Sequence, residues 1–341
     1  MLNKPYFIFP LIFSVFLTAC DNTAKTSVSE NTASQSKNEN PPITIGYSDY
    51  PGWVAWQIAI DKGWLKDAGV NAEFKWFDYS ASLNAFAAKQ IDAVTIAHGD
   101  NLVISAGGTK GLVILATDEG AGNDLIVVKS GINSISDLKG KTVAVEKGLV
   151  DHLLLDTALT DANIKTQDVK IVNAVTNELP QVFMSPDISA VALWQPVANQ
   201  ALKNVSGSKI IYTASEKPGL IYGAMTVNAE HLMRHKADWV KILEVWDRVV
   251  KYIKDPATHE DAVRIMASRA GIQPEQYKQF IDGTHFLSIQ DNKTVFIKGT
   301  GLDSIYGSSY RVNEFNIKYG VYNTKLDVDS FISPEIVNSI K

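Results

Sequence analysis

The sequence runs to 341 residues, 45% hydrophobic and 20% charged, ordinary proportions for a soluble globular protein. A formal charge of −5 argues against a nucleic-acid partner, and a single cysteine excludes an internal disulfide, so stability must come from a large core. About 300 of these residues remain after an N-terminal leader and linker, enough for two lobes and too many for one simple core.

Near the start of the sequence, Lys4 is followed by an apolar stretch from Pro5 to Phe16 and then by Leu17-Thr18-Ala19-Cys20. This is the layout of an export signal, too short to span a bilayer as a permanent helix. Leu17-Thr18-Ala19-Cys20 resembles the lipobox of bacterial lipoproteins, which implies cleavage before Cys20 and a diacylglycerol on its sulfur. The mature protein is then expected on the periplasmic or cell-surface face of a bacterial membrane. Residues 20–40 hold hardly any apolar side chains and read as a flexible tether spanning about 25 Å.

From there strands and helices alternate. Ile43 to Tyr47 reads as a strand, Val54 to Ala68 as a helix stopped by Gly69, Ala72 to Phe77 as a strand, and Ser80 to Lys89 as a helix begun by a serine cap. A strand from Ile91 to Ala97, a helix from Asn101 to Ala106 and a strand from Leu112 to Ala116 complete the first set. The layout then restarts: strands at 142–145, 169–172, 190–194 and 209–214, with helices at 150–162 and around 179–184. Ile221 to Val227 is a strand that leads back to the first lobe, and helices follow at 237–253, 257–270 and 274–281. This alternation predicts an α/β protein with two open parallel sheets, crossed near 123–130 and near 218–227. The expected lobes are 41–126 with 223–341, and 127–222, separated by a cleft. Ligands of such sheets bind at the carboxyl ends of the strands, so the cleft is the expected site.

Several stretches carry a family resemblance. Gly46-Tyr47-Ser48-Asp49-Tyr50-Pro51-Gly52-Trp53, Asp61-Lys62-Gly63-Trp64-Leu65, Ala87-Ala88-Lys89-Gln90-Ile91-Asp92-Ala93, Ser136-Asp137-Leu138-Lys139-Gly140-Lys141 and Ala192-Leu193-Trp194-Gln195-Pro196 resemble, in order and spacing, substrate-binding proteins of the nitrate, sulfonate and taurine ABC importers. Lys75-Trp76-Phe77-Asp78-Tyr79, His98-Gly99-Asp100, Gly122-Asn123-Asp124 and Thr176-Asn177-Glu178-Leu179-Pro180 look like the branch associated with urea carboxylase and guanidine metabolism. The resemblance implies two Rossmann-like lobes that close by a hinge, the type II periplasmic binding protein fold. It also implies no catalysis, no cofactor, a monomer and delivery of a small solute to a membrane permease.

Loops at the strand ends supply the candidate contacts. Asp49 and Trp53 follow the first strand, Asp78 and Tyr79 the second, Asp100 and Asn101 the third, and Asp118, Glu119 and Asp124 lie beyond the fourth. In the second lobe Glu146 and Asp151 flank a helix start, and Trp194 ends a strand. Asp49, Trp53, Asp78, Tyr79, Asp100, Asn101, Asp124, Glu146 and Trp194 form the expected ligand-binding set. Rings beside carboxylates suit a compact cation such as guanidinium. No arginine precedes Arg234, so a nitrate or sulfonate would have to rely on helix N-termini and face repulsion from the acids. Asp49, Asp78 and Asp100 also fit helix caps, Trp64 and Trp76 fit the core, and His98 fits a satisfied, partly buried histidine.

A pyrimidine-precursor enzyme shares the bilobed fold by family resemblance. The sequence has no Gly-x-Ser-x-Gly elbow and no phosphate-cradling glycine loop, and its one cysteine is assigned to lipid. His231 and His235 have a metal-compatible spacing but lack the glutamate of a zinc protease, and read as a surface helix turn.

Overall fold

The structure is a computed structural model that describes residues 41–341, so the export signal, Cys20 and the tether lie outside the described residues. In chain order the strands are β1 (Ile43–Tyr47), β2 (Ala72–Trp76), β3 (Ala93–Ala97), β4 (Gly111–Gly120), β5 (Asp124–Val128), β6 (Thr142–Val145), β7 (Lys170–Asn173), β8 (Ala190–Trp194), β9 (Lys209–Thr213), β10 (Tyr222–Asn228) and β11 (Thr284–Phe286). They form two sheets, β11-β4-β10-β3-β1-β2 and β7-β6-β8-β5-β9.

Both sheets are mixed, whereas the alternation of strands and helices predicts parallel ones. β10 runs antiparallel between β3 and β4, and β5 antiparallel between β8 and β9. The reason is connectivity. A parallel neighbour needs a crossover of a dozen or more residues, but β5 and β10 are the strands by which the chain enters each sheet from the other. Only residues 121–123 separate β4 from β5, so the boundary expected at 126/127 falls inside a strand that belongs wholly to the second sheet. All five residues of β5 are buried, as a central strand requires.

The helix expected over 54–68 is three short ones, Pro51–Val54, Trp56–Asp61 and Trp64–Asp67. Gly63 has a φ of 72°, a left-handed turn that a continuous helix cannot contain. The amphipathic helix expected at 237–253 spans Lys236–Lys254 and buries Trp239 and Trp246. Trp56 and Trp246 meet at 4.9 Å in the first lobe's core, and the Trp246 indole donates to the Leu287 carbonyl at 2.9 Å. Trp64 is buried as expected, but Trp76 is 37% exposed, with the Arg269 guanidinium 4.1 Å above its ring. Two helices lie beyond those expected, Val197–Asn204 and Ile305–Lys318. The second buries Ser308, Ser309, Asn313 and Asn316 along with its apolar residues, so its buried face is half polar.

Candidate functional site

Four aromatic rings, three from the first lobe and one from the second, meet at the carboxyl ends of the strands. Trp53, in the short helix after β1, stacks on Tyr79 with centroids 5.2 Å apart and planes at 18°. Tyr50 lies 4.9 Å from Trp53. Trp194, the last residue of β8, meets Tyr79 edge-on at 5.1 Å. All four are buried, so Trp53 is not the exposed loop residue its Pro51-Gly52 context suggests. Pro51 opens a helical turn instead, and that turn carries the ring inward.

Carboxyl groups surround the rings. The Tyr79 hydroxyl donates to Asp100 Oδ2 at 2.6 Å, and the Tyr50 hydroxyl to Asp124 Oδ2 at 3.2 Å. Glu146 joins the lobes, since its Oε1 accepts from Ser80 Oγ at 2.5 Å while its Oε2 accepts from the Thr176 amide and hydroxyl, each at 2.9 Å. Asp49 accepts a long bond, 3.5 Å, from the Trp194 indole. No lysine, arginine or histidine forms an ion pair or hydrogen bond with these carboxyls among the described residues. Burial therefore pushes Asp100 up to about 8, Asp124 up to about 7 and Asp49 up to about 6. The Tyr79 and Trp194 hydrogen bonds oppose the rise at Asp100 and Asp49, and Glu146 adds to it at Asp100.

Two further acids join this group. Asp118 lies within β4 with no exposed surface, and its Oδ1 accepts from Thr117 Oγ1 at 2.8 Å. Burial lifts it to about 7. Asp151, on the first turn of the helix Val150–Asp161, is 1% exposed, and neither of its carboxylate oxygens has a partner among the described residues. Burial raises it well above the ordinary range, and Asp124, Asp100 and Glu146 raise it further. The strand pattern singles out both residues, but Asp118 lies inside β4 and not in a loop beyond it, and Asp151 lies in the first helical turn. What the sequence lacks is any sign of their depth, which for Asp118 depends on Gly52 and Gly223 passing against its carboxyl.

Two expected contacts fall elsewhere. Asp78 is exposed at the start of the helix Tyr79–Ala87 and makes no side-chain cap, and with Asp49, Lys203 and Gln276 it lines a recess outside the ring cluster. Asn101 turns away to donate from Nδ2 to the Gly111 carbonyl at 3.1 Å, fastening the start of β4. That bond is structural, and helix periodicity explains it: Asp100 and Asn101 are adjacent in a helix and cannot share a face. His98 is fully buried and only half satisfied. Its Nδ1 accepts from the Tyr222 amide at 3.2 Å, its Nε2 has no partner among the described residues, and burial holds it down to about 4. His231 accepts the Trp239 indole at 3.2 Å and stacks on His235, so the pair belongs to packing. Among the described residues no group of histidine, cysteine and acid side chains is arranged to hold a metal ion.

The sequence matches the family described as NMT1/THI5 like over residues 53–259, more than half of its length. The chain belongs to that family. It is 29% identical over 171 residues to a putative binding protein of Brucella abortus (strain 2308), covering 50% of this chain and 53% of that one. It is 26% identical over 206 residues to a putative aliphatic sulfonates-binding protein of Bacillus subtilis (strain 168), covering 58% and 61%. The chain thus spans about half the length of the curated relatives it matches. In three dimensions it superimposes on the periplasmic aliphatic sulphonate binding protein of Escherichia coli with a TM-score of 0.71, at 16% identity, covering 88% of this chain and 100% of that structure. The two-lobed periplasmic binding protein fold expected from the sequence is therefore present.

In this NMT1/THI5-like chain, the lobes meet through side-chain hydrogen bonds. Ser80 to Glu146, Tyr50 to Asp124 and Trp194 to Asp49 each join a residue of one lobe to a residue of the other. Groups that touch across a cleft in this way can also touch a small molecule held between them.

Proposed function

We propose that the chain is the extracytoplasmic solute-binding subunit of an ABC importer, and that it captures a small solute of the sulfonate, taurine and nitrate class for a membrane permease. Family membership and the sulfonate-binding relatives support the class. The observation that carries the reading is the buried cluster of four rings and several carboxyls, drawn from both lobes and meeting at the carboxyl ends of the strands.

The sequence-based objection to an oxyanion was repulsion from the acids. It weakens, because Asp100, Asp118 and Asp124, raised to about 7 or 8, carry protons at neutral pH for much of the time. A neutral carboxyl is a hydrogen-bond donor, and an anion accepts from it. A second reading, a guanidine- or urea-like nitrogen-rich solute, draws on the same groups in their ionised form and on the faces of Trp53 and Trp194.

Calorimetric titration with taurine, an alkanesulfonate, nitrate, guanidinium and urea, at about pH 6 and about pH 8.5, separates the two. An oxyanion that needs protonated carboxyls binds more weakly at the higher pH, and a cation binds more tightly there. Guanidinium binding without sulfonate or nitrate binding would replace the first reading with the second. Recovery of a chemically altered solute would instead return the pyrimidine-precursor enzyme to consideration.

The same reading extends to the rest of the chain. Cys20 carries the lipid, residues 20–40 form the tether, and the protein works as a monomer whose lobes close about the two crossings. Replacing Cys20 with serine should release the protein from the membrane fraction, and retention would remove the anchor from the proposal.

A further inference from the structure

Of the buried polar groups near the ring cluster that lack a partner among the described residues, Asp151 and Trp53 are of opposite kind. Both oxygens of the Asp151 carboxyl are free to accept, and the Trp53 indole nitrogen is free to donate. Asp151 is 1% exposed and Trp53 3%. Buried polar groups in folded proteins are almost always paired, so a free acceptor and a free donor beside one ring cluster call for something that the chain itself does not provide.

They are neighbours through one tyrosine and one acid: Trp53 stacks on Tyr79, Tyr79 bonds Asp100, and Asp100 acts electrostatically on Asp151, while Val150, Leu153 and Leu154 of the Asp151 helix share the apolar cluster of the rings. The charged groups whose fields reach Asp151 are Asp124, Asp100 and Glu146, and each of them is already bonded, to Tyr50, Tyr79, and Ser80 with Thr176 respectively. Asp151 alone offers two unused oxygens.

We infer that Asp151 anchors an N–H donor group of the solute while Trp53 Nε1 donates to an oxygen of the same molecule, so that the site selects solutes carrying both. This rests on the chain being a solute-binding protein, and it narrows either ligand class. Among sulfonates it picks those with an amino group, such as taurine. Among nitrogen-rich solutes it picks urea, which has a carbonyl oxygen, over guanidinium, which has none. An oxyanion with no N–H group leaves Asp151 unpaired.

The test titrates taurine, ethanesulfonate, urea and guanidinium into the wild-type protein, Asp151→Asn and Trp53→Phe, with thermal unfolding confirming that each variant is folded. Taurine should bind at least about tenfold more tightly than ethanesulfonate, and urea more tightly than guanidinium. Trp53→Phe keeps the stacked ring and removes only the N–H, so it should weaken taurine or urea and leave guanidinium unchanged. Asp151→Asn should weaken taurine or urea by a similar factor and leave ethanesulfonate unchanged. Ethanesulfonate binding as well as taurine, or taurine and urea binding to both variants as to wild type, overturns the inference while leaving a solute-binding protein. Binding of none of these four, and of no nitrate, by the wild type overturns the proposed solute class and the inference with it.

Discussion

The Tyr79 hydroxyl donates to Asp100 at 2.6 Å and accepts from the Ala97 amide at 3.1 Å, so one phenol ties the start of the helix Tyr79–Ala87 to the end of β3. Tyr79→Phe keeps the stack on Trp53 and removes both bonds. It leaves a buried carboxyl and a buried N–H unpaired, at a cost of about 1–3 kcal/mol. Urea denaturation should show a lower midpoint with an unchanged slope. An unchanged midpoint would mean that water or a neighbouring group replaces the phenol.

The raised acids set the pH dependence of the ligand-free protein. Asp100 at about 8, Asp118 and Asp124 at about 7, and Asp49 at about 6 hold protons in the folded state that the unfolded chain has lost above the ordinary carboxylate range. Folded protein therefore binds more protons than unfolded, and stability falls as pH rises from about 4 to about 8. His98 and His152, each lowered to about 4 by burial, work the other way, stabilising above their ordinary value and losing that contribution as pH falls toward 4. The four acids outnumber them, so the net trend is downward. The melting temperature should drop by at least roughly 3 °C between pH 5.5 and pH 8, and Asp151→Asn should flatten the curve.

Gly223 and Gly52 close over Asp118 from two directions. A Cβ at Gly223 would lie 2.1 Å from the Asp118 carboxylate, and one at Gly52 would lie 2.0 Å from it. Asp118 cannot withdraw, because its residue is fully buried within β4. Gly223→Ala should destabilise by about 1–3 kcal/mol or more. Adding Asp118→Ala frees the space, so the double variant should be more stable than the sum of the single effects implies. Additive effects in denaturant melts would show that the strain lies elsewhere.

Much of this arrangement was legible in the sequence, and the misses share a cause. The β8 strand falls at 190–194 as its apolar run indicates, and Tyr79, Asp100, Asp124, Glu146 and Trp194 do converge, because strand ends and helix starts are written in local pattern. Asp78 and Asn101 satisfy the same local pattern yet point elsewhere, one to solvent and one to the Gly111 carbonyl. Local pattern fixes where a residue sits along an element; which way it turns depends on neighbours more than a hundred residues away in some cases. Strand direction failed for the same reason. The antiparallel pairing of β5 and β10 follows from the chain passing between lobes, and nothing within Asp124–Val128 or Tyr222–Asn228 encodes it.

Glu146 links the lobes through one bond that can be removed alone. Its Oε1 accepts from Ser80 in the first lobe, while its Oε2 is held within the second lobe by the Thr176 amide and hydroxyl. Ser80→Ala removes the bridge and leaves Glu146 anchored. Ser80 is the second residue of the helix Tyr79–Ala87, not the cap that the sequence suggests, and it is half-buried, so overall stability should change little. If the bridge exists only when the lobes are together, its loss of about 1 kcal/mol shifts the population toward an open form and weakens any solute that needs closure by about fivefold. Small-angle scattering should show a larger radius of gyration for Ser80→Ala without solute, and saturating solute should restore the wild-type value. Equal radii and equal affinities would place this bond in both states and remove it from the closing motion.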